Sequence, residues 1–219
     1  MGIATITREI DPESLRQSDT LMSDRPTERA PVALQLLGGF RLIVNGHSTQ
    51  LPESAQRLIA FLALRRHPQT RHCVAGNLWP EKNDDRATAN LRSTIWRARL
   101  DDGQTILNTQ GSLIGLDPCV TMDVSGVESA RPDESTATLV STGSLKLGQL
   151  FDELLPGWYD DWVLLERDRL AHIQLRVAES LARALIAQGD AIAATDLAFR
   201  ALTLDPMGEV KERILSWIV

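Results

Sequence analysis

The chain has 219 residues, of which 43% are hydrophobic and 24% are charged, and its formal net charge is −6. This composition is that of an ordinary globular protein with room for two modest domains, and it excludes collagen-like, low-complexity and disulfide-rich chains. Two cysteines provide no disulfide framework and suit a reducing compartment, so we expect a cytoplasmic protein. Neither a long apolar run nor a signal-peptide pattern occurs, which predicts no membrane partner.

The acidic net charge conceals an uneven distribution along the chain. Residues 40–116 contain ten Lys or Arg against six Asp or Glu, whereas residues 117–219 contain nine against seventeen. A mildly basic segment followed by an acidic one is compatible with nucleic-acid binding by the first segment.

The first elements predicted in chain order are a tail and a small sheet. Residues 1–33 are polar, carry charges of both signs and show no period, which is typical of a flexible tail. The stretch LQLLGGFRLIVNGHSTQLP then alternates imperfectly between apolar and polar residues. Because Asn45-Gly46 is a strong hairpin signal, we expect about three antiparallel strands here.

Three helices and a hairpin are predicted next. Ser54 is a candidate cap for a helix through AQRLIAFLALRR, and Thr70 is one for RHCVAGNLW. Asn83 or Asp84 is expected to cap the third helix, which Asp101-Asp102-Gly103 would end. The stretch TILNTQGSLIGLD predicts two short strands around Gln110-Gly111.

The third of these helices has the most informative pattern. Its apolar positions repeat at helical spacing and predict one buried stripe, formed by Ala87, Leu91, Ile95 and Ala98. The opposite arc contains no carboxylate between Arg86 and Arg97; it consists of Arg86, Ala89, Asn90, Arg92, Ser93, Trp96 and Arg97. Arg, Asn and Ser are the residue types that bind phosphates and base edges.

The order of sheet, three helices and hairpin predicts a winged helix, whose third helix enters the major groove of DNA. We therefore expect DNA contacts from the third helix and from Arg71 at the start of the second. The hairpin contains no Lys or Arg, so its contacts would come from backbone groups or from Asn108, Thr109, Gln110 or Ser112. The simpler alternative for the arginines is a solvated helix face with surface ion pairs to Asp84, Asp85 or Asp101. Trp96 has the alternative of packing on a neighbouring strand.

The second half of the chain is predicted to be helical. A long 3.6-residue period runs from Tyr159 to Gln188 and predicts a buried stripe of Leu164, Leu165, Leu170, Ile173, Val177, Leu181 and Leu185. Gly189-Asp190 stops it, AIAATDLAFRALTLDP follows, and a third helix begins at Met207. The small Ala residues and the Gly-Asp turn match the tetratricopeptide repeat pattern. No later helix covers the last apolar residues, which predicts self-association, such as a homodimer, through residues 207–219.

The sequence contains no motif that indicates an enzyme active site or a metal site. We interpret Asp160, Asp161 and Glu166 as charges that favour a helix start, beside Trp158, Tyr159 and Trp162 packed between domains. The spacing of His67, His72 and Cys73 fits no usual metal site, and no phosphate-binding glycine loop or nucleophile elbow occurs. We therefore expect no catalytic residue, no metal and no cofactor.

Five sequence segments occur in a fixed order along the chain, and their order and composition resemble those of the actinobacterial antibiotic regulatory protein family of transcriptional activators. The segments are LPESAQRLIAFLALRR, CVAGNLWP, RATANLRSTIWRARL, LLPGWYDDWVLLERDRL and the repeat helices. The resemblance implies a response-regulator-type winged helix at 34–118 and a shortened bacterial transcriptional activator domain of tetratricopeptide type at 119–219. It further implies binding to direct repeats in double-stranded promoter DNA and recruitment of RNA polymerase.

Two other functions stay open at this stage. The chain is alternatively a protein-interaction adaptor, whose repeat helices bind a partner while the first domain has little or no DNA affinity. It is alternatively a repressor with the same DNA module, because the sequence does not determine the sign of regulation. Steep salt dependence would distinguish phosphate-dominated binding from apolar adaptor binding.

Overall fold

The computed structural model describes residues 31–100, 105–129, 148–205 and 207–218. It has mixed α/β structure, with a small sheet near the start of the described region and a helical region at its end. The cap of the third helix lies inside these ranges, whereas Asp101-Asp102-Gly103 and most of the predicted tail lie outside them.

The first sheet contains four strands in the order β3-β2-β1-β7, namely β1 (Val32–Gln35), β2 (Arg41–Val44), β3 (His47–Thr49) and β7 (Val120–Met122). Asn45 and Gly46 have φ angles of 52° and 80° and form the predicted turn between β2 and β3. The fourth strand was not predicted, because β7 pairs parallel to β1 and comes from beyond residue 118.

The sheet also corrects the start of the first domain. Val32 and Ala33 belong to β1 and pair with Val44 and Ile43, whereas the sequence pattern assigned them to the tail. Val32 is buried, so the apolar alternation of the strand begins two residues earlier than predicted.

Helix α1 (Glu53–Arg65) forms the centre of the first core. Its buried residues are Ala55, Leu58, Ile59, Ala60, Phe61, Leu62, Ala63 and Leu64. The proposed cap is wrong here, because the helix starts at Glu53 and Pro52 occupies the cap position without a side-chain hydrogen bond. The carbonyl of Pro52 instead accepts hydrogen bonds from the N–H groups of Ala55 and Gln56.

Helices α2 (Arg71–Leu78) and α3 (Asp84–Arg97) begin at the predicted caps. Thr70 Oγ1 accepts a hydrogen bond from the N–H of Cys73, and Asn83 Oδ1 accepts one from the N–H of Arg86. Both α1 and α2 pack against α3. The predicted stripe of α3 faces this core, with Ala87, Leu91 and Ala98 buried and Ile95 half-buried.

A second sheet has the order β4-β6-β5 and contains β4 (Gln69–Thr70), β5 (Leu107–Gln110) and β6 (Leu113–Leu116). The predicted hairpin therefore forms, with its turn at Gly111-Ser112. The N–H of Arg71 donates to the carbonyl of Ser112 over 2.9 Å, so the start of α2 is fixed to the hairpin turn.

Helix α4 (Asp123–Ser129) begins with a carboxylate that binds the end of β1. Asp123 accepts hydrogen bonds from the N–H groups of Leu36, Leu37 and Val124 at 2.8–3.0 Å. Burial raises the pKa of the Asp123 carboxyl above its ordinary value of 3.8, although these hydrogen bonds oppose the shift.

Three α-helices follow α4 in the described chain: α5 (Asp161–Ala187), α6 (Ala191–Ala201) and α7 (Glu209–Ser216). Small residues lie at the contact of α5 with α6, where Ala178, Ala182, Ala194 and Ala198 are buried. The predicted stripe is wrong at the start of α5, because Leu164 is 37% exposed and Leu165 is 71% exposed. The stripe that packs begins at Trp162 and Val163 and continues through Leu170, Val177 and Leu181.

The end of the described chain also differs from expectation. Ile214 is fully buried, and Leu215, Trp217 and Ile218 are half-buried against the core of their own chain. Arg183 of α5 lies over the Trp217 ring, 4.5 Å from its centroid. The described part of this apolar end therefore packs partly on its own chain, where α7 contacts α5 and α6, and the homodimer stays a prediction.

The loop that precedes α5 connects the helical region to the first sheet. Leu37 and Leu154 form a β-bridge, and the N–H of Leu155 donates to the carbonyl of Leu36 over 2.9 Å. Arg167 holds the same loop by donating to the carbonyls of Leu154 and Leu155. The two parts of the described chain consequently form one compact unit.

Candidate nucleic-acid interface

The surface of α3 opposite its buried stripe carries most of the predicted contacts. Arg86, Arg92, Ser93, Trp96 and Arg97 are exposed, and Asn90 is half-buried. A helix places residues three, four and seven apart on one side, so the packing of Leu91 and Ala98 into the core directs these side chains outward. We call this surface the α3 face, defined as Arg86, Ala89, Asn90, Arg92, Ser93, Trp96 and Arg97.

The guanidinium groups of the α3 face have no carboxylate partner among the residues that the structure describes. Within the described ranges, the guanidinium groups of Arg86, Arg92 and Arg97 take part in no salt bridge and no hydrogen bond. Of the ion-pair partners in the simpler alternative, Asp84 and Asp85 form no salt bridge with these arginines among the described residues, and Asp101 lies outside those residues. Within the described structure, three cations on one side of one helix therefore have no partner.

Trp96 lies near the middle of this face and is 68% exposed. Its indole takes part in no ring contact among the described residues. It does not pack on a neighbouring strand, which was the alternative to a contact with DNA.

Arg71, Asn108 and Thr109 lie on the second sheet and the adjoining start of α2. The half-buried Arg71 begins α2 directly after β4. Asn108 and Thr109 are adjacent in β5 and so point to opposite faces of the hairpin. The two side chains cannot both contact DNA through the same face.

The environments of the two hairpin residues differ accordingly. Asn108 is half-buried and lines a groove with Leu62, Pro68 and Gly115, whereas Thr109 is exposed. Gly115, opposite Asn108, has Pro68 so close that a Cβ would lie 3.3 Å from the Pro68 Cα. Thr109 is thus the more accessible of the two candidates.

The three arginines of α1 and its C-terminal cap all make contacts within the fold. Arg57 pairs with Asp160 and also donates to the carbonyl of Leu78. Arg66 pairs with Glu128 on α4, and the guanidinium of Arg65 lies over the Phe61 ring. These cations hold the fold together, whereas those of the α3 face do not.

The acidic residues near the start of α5 are structural too. Asp160 pairs with Arg57, and Glu166 pairs with Arg169, which also pairs with Glu128. Trp158 and Trp162 pack as expected, but Tyr159 is 78% exposed. No group of three His, Cys, Asp or Glu side chains that could hold a metal ion occurs among the residues the structure describes.

One acidic residue lies on the same side of the helix as the α3 face, and the sequence pattern did not count it as part of the candidate site. Asp85 is exposed in the first turn of α3, four residues before Ala89 and seven before Arg92, so it shares their side of the helix. In the sequence pattern Asp85 figured only as a surface ion-pair partner of the arginines, although its spacing already placed it on their side of the helix. A carboxylate there repels phosphate and can accept a hydrogen bond from the cytosine amino group.

The sequence matches no protein-family model, and a search of curated proteins gives no significant match. Within the ranges described, none of the helices combines the length and the hydropathy that crossing a bilayer requires.

Proposed function

We propose that this chain is a sequence-specific DNA-binding transcriptional activator that inserts α3 into the major groove of promoter DNA. The carrying observation is the α3 face, where three guanidinium groups without a partner among the described residues and an exposed indole lie on one side of a helix whose other side is buried. An anionic partner with hydrogen-bonding base edges satisfies both features.

The dimensions of the face suit a groove. Arg86 and Arg97 are eleven residues apart on α3, which corresponds to about 16 Å along the helix axis. At about 3.4 Å per base along one strand, that length covers about five base pairs. An α-helix fits the major groove of B-DNA, which is about 12 Å wide.

The proposal includes two fold assignments, a winged helix and a repeat of tetratricopeptide type. Three helices followed by a hairpin that is fixed to the start of α2 support a winged helix with α3 as the recognition helix. In that arrangement Thr109 and Arg71 lie beside the DNA backbone. Antiparallel α5 and α6 with buried alanines, separated by Gly189 at a φ of 82°, support a repeat of tetratricopeptide type.

Activation requires a protein partner, for which we propose RNA polymerase on the basis of the family resemblance. Ile192 and Phe199 are seven residues apart on α6, and their exposed fractions are 86% and 55%. They share one side of the helix and provide an apolar surface for protein contact.

Selection of binding sites from duplexes with a random core tests the proposal. The purified chain should enrich a defined motif, footprints on promoters should fall on that motif, and transcription from such promoters should rise when the chain is added. A variant with Arg86, Arg92 and Arg97 all changed to Ala should enrich nothing. Failure of the unaltered chain to enrich any motif would contradict DNA binding and favour the adaptor alternative. A fall in transcription would instead indicate a repressor.

A further inference from the structure

Trp96 is the largest apolar side chain on the α3 face, and its exposure needs an explanation. An indole buries one of the largest apolar areas of any side chain, and aromatic side chains contribute strongly wherever they are covered. This one is 68% exposed and touches no other ring of the described structure. It contributes little to the core and is available to a partner.

The surroundings of Trp96 indicate what that partner is. Arg92 and Ser93 precede it by four and three residues, and Ala89 precedes it by seven, so all share its side of α3. Ala89 and Ser93 are small and let the helix backbone approach a surface closely. The free cation of Arg92 beside the indole favours an anionic partner over the apolar surface of a protein.

The chemistry of the indole restricts what it can recognise in a groove. It offers an apolar ring and one N–H donor, and it has no acceptor. Among the base edges of the major groove, only thymine presents a methyl group, whereas guanine presents the acceptors that Arg binds. An exposed ring next to a free guanidinium therefore matches a thymine close to a guanine.

We infer that Trp96 is a specificity-determining residue that recognises thymine through its 5-methyl group. This inference rests on the proposed function and adds to it the base that one named side chain selects. The small neighbours Ala89 and Ser93 allow the ring to reach the methyl group while the arginines hold the duplex.

The test compares a selected duplex with the same duplex in which deoxyuridine replaces thymine at one motif position at a time. This change removes only the methyl group and preserves base pairing. At the position that Trp96 contacts, the unaltered chain should bind the deoxyuridine duplex about fourfold more weakly, the factor expected for one buried methyl group. Trp96→Ala should bind both duplexes equally, and Trp96→Phe should keep most of the discrimination.

Leu165→Ala is the matched control, because it removes an exposed apolar side chain on α5, outside any proposed binding surface, and should leave the thymine-to-deoxyuridine ratio unchanged. Equal binding of both duplexes by the unaltered chain at every position would overturn the inference while leaving DNA binding intact. A Trp96→Ala variant that still discriminates would overturn it as well, because another residue would then bind the methyl group. A change of oligomeric state on Trp96→Ala in sedimentation would show instead that the ring binds a second copy. Failure of every duplex to bind would remove the proposed function itself.

Discussion

The rings of Phe61 and Trp162 meet edge to face, with 5.3 Å between their centroids and an angle of 86° between their planes. Phe61 belongs to α1 and Trp162 to α5, so this pair joins the helix that supports α3 to the helical region. Trp158 extends the cluster, packing edge to face on Trp162 and stacking on Phe40. The position of the helical region is thus fixed relative to the α3 face by aromatic packing.

Trp162→Ala should lower the free energy of unfolding by about 3–5 kcal/mol, because it removes a buried aromatic side chain and leaves a cavity against Phe61. Trp162→Phe is the matched variant. Among the described residues, the buried Nε1 of Trp162 has no hydrogen-bond partner, so Phe deletes an unsatisfied donor and keeps most of the ring. We expect it to cost less than about 1.5 kcal/mol. If the two variants lost equal free energies of unfolding in urea, this would show that the Nε1 group of Trp162 is hydrogen-bonded and that ring packing contributes less than this bond.

Asp123 predicts a specific pH dependence of stability. Because its pKa is raised in the folded state, its contribution to stability is fully present below its ordinary pKa of 3.8 and is lost as the pH rises through the folded value. Asp123→Asn removes this titration and no other. The stability of the unaltered chain relative to Asp123→Asn should therefore fall as the pH rises from about 3 to about 7 in denaturant unfolding. A rise over the same range would mean that the three backbone hydrogen bonds outweigh burial.

Leu91→Ala should unfold or strongly destabilise the first part of the chain. Leu91 is 1% exposed on the buried side of α3, and its truncation should cost about 2–5 kcal/mol. Loss of DNA binding would follow from unfolding, which thermal denaturation detects. Ala89→Ser, on the exposed side two residues earlier, is the control and should leave the melting temperature nearly unchanged. If Leu91→Ala melted like the unaltered chain, the α3 face would have been assigned to the wrong side of the helix.

Arg92→Ala and Arg97→Ala should each weaken binding to a selected duplex without changing stability, because neither side chain has a partner within the described fold. Loss of a base contact should cost about 1–3 kcal/mol and relax the preference at one base pair, whereas loss of a phosphate contact should weaken matched and scrambled duplexes alike. Arg176→Ala, an exposed arginine on α5, is the control for loss of one positive charge. Unchanged affinity in both α3 variants would exclude these side chains from the interface.

Local patterns predicted six of the seven α-helices in the described residues; they missed α4, and they placed the end of α3 at Asp101-Asp102-Gly103, whereas the helix ends at Arg97. Thr70 and Asn83 are recognisable as caps because each side chain bonds an N–H three residues later. Ser54 is also a residue type that commonly caps helices, but it follows Glu53, where the helix has already begun. The parallel pairing of β7 with β1 joins strands about 90 residues apart, and no local period encodes such a contact.

The candidate site was predictable to a similar depth. Helical spacing identified the exposed side of α3 because its buried side is regular. Arg57 forms an ion pair with Asp160, and Arg66 forms one with Glu128. Both pairs join parts of the chain that are far apart in sequence, so local spacing cannot predict them. The opposite orientations of Asn108 and Thr109 follow from strand alternation and were available in the sequence, but a prediction based on residue type alone overlooked them. Leu164 and Leu165 were misplaced because their apolar character fits a stripe that starts elsewhere on α5.

The salt dependence of DNA affinity tests the central claim most directly. We compare the unaltered chain with the variant in which Arg86, Arg92 and Arg97 are all Ala, on one selected duplex and over a series of salt concentrations. Each phosphate contact adds about 0.9 to the slope of log K against log salt, so the variant should bind more weakly with a slope shallower by up to about 2.7. Equal affinities and equal slopes for two equally folded proteins would contradict the assignment of the α3 face as the DNA-binding surface.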